Sequence, residues 1–425
     1  MAREPDSLRR KSIYDPVHGT MVLEGAALEL IGHPLFQRLW GIRQTGFAHL
    51  VFPGANHTRL EHSLGVSWVA GRMAGALGID GDEWSAVVCG GLLHDLGHAP
   101  FSHTLDGSME EVLGHGHERV SRDRILGLAS GGDESEGAEG RSVPEILEQH
   151  DIDPAGVADL VDPPARARDS AMARSILHGP VDADRIDYLQ RDAHYTGVAH
   201  GAIDATRLLE TLESDRGRPV FAEKGRSALE GFLLGRTLMY RTVYYHKTVR
   251  AAEVMLAGGV ERLPGYPESA RPLFARTDGE LLVHMDRAEG FPRDAARALR
   301  ARRLYKRVGG LRAGPLGRRR EIQRQLQRPA DRRALESELA QALGGRDGEL
   351  LLDTSGLQPR PPELGDLRAI VVREDDALTR PFDESPHWRN LLLRPPSRWA
   401  LAAYAPLALR ARATGRIDRL LARRL

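Results

Sequence analysis

Histidines and acids cluster in this sequence where a metal ion could be held. His62 sits in Arg59-Leu60-Glu61-His62-Ser63, and His94-Asp95 follows the apolar run Gly91-Leu92-Leu93. His98 and His103 bracket Ala99-Pro100-Phe101-Ser102, with His115 and His117 just beyond. Asp182, Asp184 and Asp187 crowd into Val181 to Tyr188. Imidazole nitrogen and carboxylate oxygen suit a divalent transition metal, and a catalytic centre keeps positions open for water and substrate. One His, a His-Asp pair and a distant Asp supply four such ligands from separate helices. Adjacent helical residues do not face the same way. A His-Asp dyad therefore shares one ion only near a helix end, and Gly97 with Pro100 marks that end. The dipeptide alone carries no weight; the ordered set of three motifs does.

Helices must position these groups. Glu61 to Leu77 repeats apolar residues at helical spacing up to Gly78, and Asp82 to Leu93 begins on an acid and ends before Gly97. Arg174 to Leu189 is broken by Gly179-Pro180, and Gly225 to Leu256 predicts one long apolar and aromatic helical stretch. Strand patterns are scarce before residue 280. Residues 130–140 are acidic and lack large apolar side chains, which predicts a mobile loop. Gly309 to Arg320 reads as a Gly-rich basic separator. After it come a charged helix over Glu321 to Leu343, short strands at Leu350 to Leu352 and Ala369 to Val372, and a basic C-terminal helix. The expected architecture is mainly α, with a helical core over residues 1–310 and a smaller α+β region over 311–425.

Composition removes several function classes. Lys plus Arg and Asp plus Glu are 59 each, so no global charge draws the chain to DNA or anionic membrane. The single cysteine, Cys89, excludes a disulfide framework within the chain. No secretory leader or spanning apolar run is visible, since Trp399 to Leu409 is cut by Pro406. A soluble cytoplasmic protein without a membrane partner is expected.

The motifs together resemble a known family. Tyr14-Asp15-Pro16-Val17-His18-Gly19, Phe36-Gln37-Arg38-Leu39, Arg59 to Val66, His94-Asp95-Leu96-Gly97-His98, Pro100 to His103, His117-Glu118 and Asp182 to His194 are similar to the HD-domain hydrolases. Within these, they look most like the deoxynucleoside triphosphate triphosphohydrolases. The resemblance covers residues 11–310 and implies a helical HD-domain core. It also implies that His62, His94, Asp95 and Asp184 hold a metal (Fe, Mn, Ni, Co or Zn) and that Mg²⁺ accompanies the nucleotide. By the same resemblance His98, His103, Asp106 and His117 line the reacting phosphate. Arg59, Arg185 and Arg236 bind phosphates, Gln44, Tyr188 and Asp192 surround the sugar, and Tyr244 lies near base or sugar. The chemistry expected there is in-line attack of activated water on the α-phosphorus, with a His103 buttressed by Asp106 to protonate the departing 5′-oxygen. His98 and His117 stabilise charge on the phosphate oxygens.

The match departs from the vertebrate pattern at three places. Thr45 stands where a leucine meets the sugar, and Gly32 and Trp40 replace an Asp and an Arg that read an activating guanine nucleotide. Guanine activation is therefore expected to be absent or differently built, while Lys11 keeps an anion-binding nucleotide effector open. Relatives of this kind form dimers or tetramers, which implies a homo-oligomer. One alternative is a nucleotidase or phosphodiesterase for another phosphate ester. The other is a regulatory, nucleic-acid-binding protein on the same fold. The basic runs 300–307, 318–320 and 410–424 make nucleic acid a secondary partner, because only Tyr305 is interleaved with them.

Overall fold

A computed structural model describes residues 10–128, 140–164, 171–312, 316–326, 328–355, 364–375, 377–384, 392 and 399–425. The fold is mainly α, as expected from the sequence. The expected acidic loop lies outside the described residues except for its last glycine.

Two helices form the scaffold of the core. Helix Arg59–Ala76 starts at Thr58, where a capping box with Glu61 fixes its first turn. Helix Gly81–Leu93 packs along it and ends at His94. Small residues let the two approach closely: a side chain at Gly91 would stand 3.1 Å from Ser67 Cα and 3.2 Å from Ala70 Cβ. Helix Ala183–Thr196 crosses the first helix, after the break that Gly179-Pro180 imposes on helix Ala171–His178. A Cβ on Gly65 would fall 1.9 Å from Asp187 Oδ1, so only glycine allows that crossing.

Several elements depart from the sequence reading. The N-terminal segment forms a hairpin, β1 (Arg10–Asp15) with β2 (Gly19–Glu24). Its inner face buries Met21 and Leu23, but its polar outer positions hide the alternation. The expected single helix from 225 to 256 is two helices, Arg226–Met239 and Lys247–Val260, separated by a π-helical turn at Tyr240–Tyr244. Such turns redirect side chains at functional sites, and here the turn delivers Tyr244. The expected helix over 321–343 is likewise two, Leu316–Gln325 and Pro329–Ala342, with Pro329 opening the second.

The remaining strands bind the C-terminal part to the core. β3 (Leu212–Asp215), β4 (Arg218–Ala222), β7 (Val372–Glu374) and β8 (Ala377–Thr379) share one sheet, in which β4 and β7 run parallel. β5 (Lys306–Arg312), β9 (Trp399–Ala405) and β6 (Leu351–Asp353) form an antiparallel sheet in the order β5-β9-β6. The separator expected from Gly309 is thus strand at its start. Gly309 and Gly310, at φ +154° and +148°, pack against Asp418 and the Leu401 carbonyl where no side chain fits. Of the strand expected at Ala369 to Val372, only Val372 is strand, because helix Leu364–Ala369 precedes it. Ion pairs fasten this region to the core: Arg250 with Asp353, Arg262 with Glu336, and Arg333 with Glu111. Among the described residues no helix is long and apolar enough to cross a membrane.

Candidate active site

His62 lies fully buried in the first turn of helix Arg59–Ala76. Its Nδ1–H donates to Asp187 Oδ2 at 2.7 Å, which turns the lone pair of Nε2 inward. His94 is held the same way, its Nδ1–H donating to the Gly91 carbonyl at 2.8 Å. Both Nε2 atoms are buried without a hydrogen-bond partner. His62 Nε2 is 3.0 Å from Asp184 Oδ1 and 3.7 Å from Asp95 Oδ2, and His94 Nε2 is 3.1 Å from Asp95 Oδ1. One atom each from His62, His94 and Asp184 lie within 4.8 Å of one another. Ligands about 2.1 Å from an ion stand about 3 Å apart, so these spacings fit donors arranged around a cation.

The electrostatics point the same way. Burial favours a neutral His62, yet Asp184 and Asp187 raise its imidazole to about 10, so the pocket demands positive charge at that point. Burial opposes ionisation of Asp95 as well, but Arg59 beside it holds the carboxyl well below the usual range. The donor set therefore fits a divalent ion, which His62, His94, Asp184 and the adjoining Asp95 would hold.

A second cluster adjoins the first. His98, His103, Asp106 and His117 each bring one donor atom within 4.8 Å of the others. His98 Nε2 is 3.2 Å from Asp95 Oδ1, which joins the two clusters, while its buried Nδ1 has no partner. The His98 and His117 rings stack at 3.7 Å. Burial, then the Arg59 charge, keeps His98 well below its ordinary pKa, and burial lowers His117 too, so both are neutral at pH 7. His103 is exposed, and its Nδ1 donates to Asp106 Oδ2 at 3.0 Å. Against the burial that would raise it, His103 holds the Asp106 carboxyl well below the carboxylate range. A cavity of about 690 Å³ opens beside His103 and Asp106.

The expected phosphate and sugar residues flank these clusters. Arg59, buried, donates to Asp95 Oδ2 at 2.6 Å and to Ser102 Oγ at 2.8 Å. Arg185 is engaged by Asp182 and by the Gly179 carbonyl at 2.6 Å. Arg236 is buried, and its charge reaches both Asp182 and Tyr188. Tyr244 donates its hydroxyl to Asp192, whose other oxygen is 2.8 Å from His57 Nε2. The Tyr188 ring meets the edge of Tyr244 at 6.3 Å. Gln44 follows on the other side, its backbone bound to the His57 carbonyl at 3.1 Å and its buried side-chain oxygen without a partner. All fifteen singled-out positions thus fall on or beside one continuous site. Gly32, Trp40 and Lys11 lie instead at the surface.

Several residues with no role assigned from sequence support that site. Asp187, beneath His62, also accepts from His18 Nε2 at 2.6 Å and pairs with Arg191 at 2.8 Å. Arg191 in turn reaches Asp15 at 2.7 Å. The Tyr14 to Gly19 motif is visible in the sequence, but not that its Asp15 and His18 brace the Asp187 that orients His62. His57 left no sequence signal.

The chain is similar to known proteins over both of its parts. Residues 59–192 match the HD domain and residues 203–422 match the HD associated region. An uncharacterised protein of Methanocaldococcus jannaschii is 37% identical over 254 residues, which is 59% of this chain and 49% of that one. Human deoxynucleoside triphosphate triphosphohydrolase SAMHD1 is 29% identical over 293 residues, 61% of this chain and 45% of that one. The matched part spans about half the length of these curated relatives. A solved structure of a hypothetical protein from Aquifex aeolicus superposes with a TM-score of 0.72 at 27% identity, covering 96% of this chain and 100% of that one. A helical core with converging His and Asp side chains defines the class, and the chain belongs to the HD-domain family. It is a member that carries the HD associated region.

Proposed function

We propose that this protein hydrolyses deoxynucleoside triphosphates to deoxynucleoside and inorganic triphosphate. The observation that carries the reading is the join at Asp95, whose Oδ1 lies 3.1 Å from His94 Nε2 and 3.2 Å from His98 Nε2, while its Oδ2 faces His62 and accepts from Arg59. A phosphate seated there meets the metal ligands and the neutral histidines together. A divalent ion held by His62, His94, Asp95 and Asp184 would supply Lewis-acid charge and make water acidic enough to attack at neutral pH.

The chain's own residues supply the rest. His103, with Nδ1 fixed on Asp106, presents Nε2 to the departing 5′-oxygen and gives it a proton. His98 and His117, neutral and stacked, offer ring nitrogens to the phosphate oxygens. Arg236 and Arg185 bring positive charge to the side of Tyr188, where the β- and γ-phosphates need it. Gln44, Asp192, Tyr244 and Tyr188 form the polar and aromatic wall suited to a sugar. Tyr188 packed against the 2′ carbon favours a deoxyribose. Likeness to the deoxynucleoside triphosphate triphosphohydrolases supports this substrate.

A second reading rests on one observation. Arg59 and Arg185 are already engaged by Asp95 and Asp182, which suits a substrate with fewer phosphates, such as a nucleoside monophosphate or phosphodiester. Incubation with each of the four deoxynucleotides and four ribonucleotides, as mono- and triphosphates, with Mg²⁺ and Mn²⁺ in turn, separates the two. Deoxynucleoside plus intact triphosphate is expected. Orthophosphate from monophosphates, with triphosphates untouched, selects the second reading.

A further inference from the structure

Two consecutive non-glycine residues in the site loop, Phe101 and Ser102, sit at φ +57° and +53°. Side chains resist that left-handed region, and it persists only where the surroundings enforce it. The Phe101 N–H donates to Asp278 Oδ1 at 2.6 Å, and the Arg43 N–H donates to Asp278 Oδ2 at 3.1 Å. Asp278 is buried at the first position of helix Asp278–Arg287. Thr277 and Glu280 cap that helix reciprocally, so the Asp278 carboxylate is left to serve the two loops. Arg38 adds a second tie. It donates to the carbonyls of Ala275 (2.7 Å) and Phe274 (2.8 Å) on one side and His98 (2.5 Å) on the other.

We propose that Asp278 is a positioning residue, whose carboxylate clamps the loop bearing His98 and His103 to the segment bearing Gln44. The consequence runs through Ser102. Its hydroxyl accepts from Arg59 Nε at 2.8 Å and donates to the Arg43 carbonyl at 3.1 Å, so the clamped turn also sets Arg59 against Asp95. His103 is the next residue. The Phe101 ring, stacked on Phe47 at 4.5 Å, anchors the turn from the core side. Asp278 touches neither cluster. It fixes the distance between the group proposed to protonate the leaving oxygen and a group proposed to hold the sugar.

This inference rests on the proposed reaction for its kinetic readout but not for its structural one. In Asp278→Asn, one of the two oxygens becomes an N–H donor facing an N–H. The expected result is a fall in kcat of about 10- to 100-fold, with KM for the deoxynucleotide and bound metal per chain nearly unchanged. A lowered melting temperature with unchanged kcat would make Asp278 merely structural and overturn the proposal. Hydrogen exchange on the unmodified protein needs no variant to fold and no activity. The Phe101 amide is expected to exchange as slowly as the buried amides of helix Asp278–Arg287, and exchange at open-loop rates would overturn the clamp. Slow exchange with no turnover of any triphosphate would instead sink the proposed reaction while leaving the clamp standing.

Discussion

The two histidine clusters touch at Asp95, yet they are built on different principles. In the first, each ring is fixed through its far nitrogen, His62 by Asp187 and His94 by the Gly91 carbonyl, and the inward nitrogens stay unpaired. In the second, His98 and His117 stack on one another, His98 also meets Asp95, and the exposed His103 is tied to Asp106. The first cluster is packed in acid that demands a cation; burial keeps two members of the second neutral. Rigid imidazoles around a charge hold an ion. In the proposed reaction the neutral and half-exposed imidazoles beside it would bind an oxyanion and pass a proton. The division of labour follows from burial and partners rather than from residue type, since both clusters are histidine and aspartate.

That contrast can be broken at either end. His94→Ala combined with Asp95→Ala should lose bound metal, measured by mass spectrometry of the elements, and drop turnover to background; retained metal would place the ion elsewhere. His103→Ala should keep its metal and lose about 10²- to 10⁴-fold in kcat. Loss of metal in that variant would erase the distinction between the clusters. Asp187→Asn should weaken metal binding by about 10- to 100-fold, with activity recovered by excess metal. Failure of excess metal to restore it would mean that Asp187 does more than orient His62. The smallest effect concerns Cys89, buried outside both clusters with its thiol pushed up to about 12 by burial. It should resist an aromatic disulfide reagent in the folded protein and react once denatured, and rapid labelling without denaturant would show that the core around it opens.

Much of the site was legible because its chemistry is local. His94-Asp95 at a helix end, His62 in a capped first turn and the acids at 182–187 announce candidate ligands within short stretches. Their supports were not legible, because they come from far along the chain. His18 and Asp187 are 169 residues apart, and Asp278 and Phe101 are 177 apart. No spacing rule links such pairs. The same limit applies to the fold. Helices with apolar periodicity stood out, whereas the β1–β2 hairpin exposes so much of one face that its alternation is lost. The π-helical turn at 240–244 sits inside a continuous helical pattern. From that turn Tyr244 reaches Asp192, a contact that joins distant parts of the chain.

In the proposed reaction water attacks the α-phosphorus of a deoxynucleoside triphosphate and the nucleoside oxygen leaves. Turnover in oxygen-18-enriched water, followed by mass spectrometry of both products, tests it directly. One heavy oxygen is expected in the released triphosphate and none in the deoxynucleoside. Label in the deoxynucleoside hydroxyl, or release of orthophosphate or pyrophosphate in place of triphosphate, would contradict it.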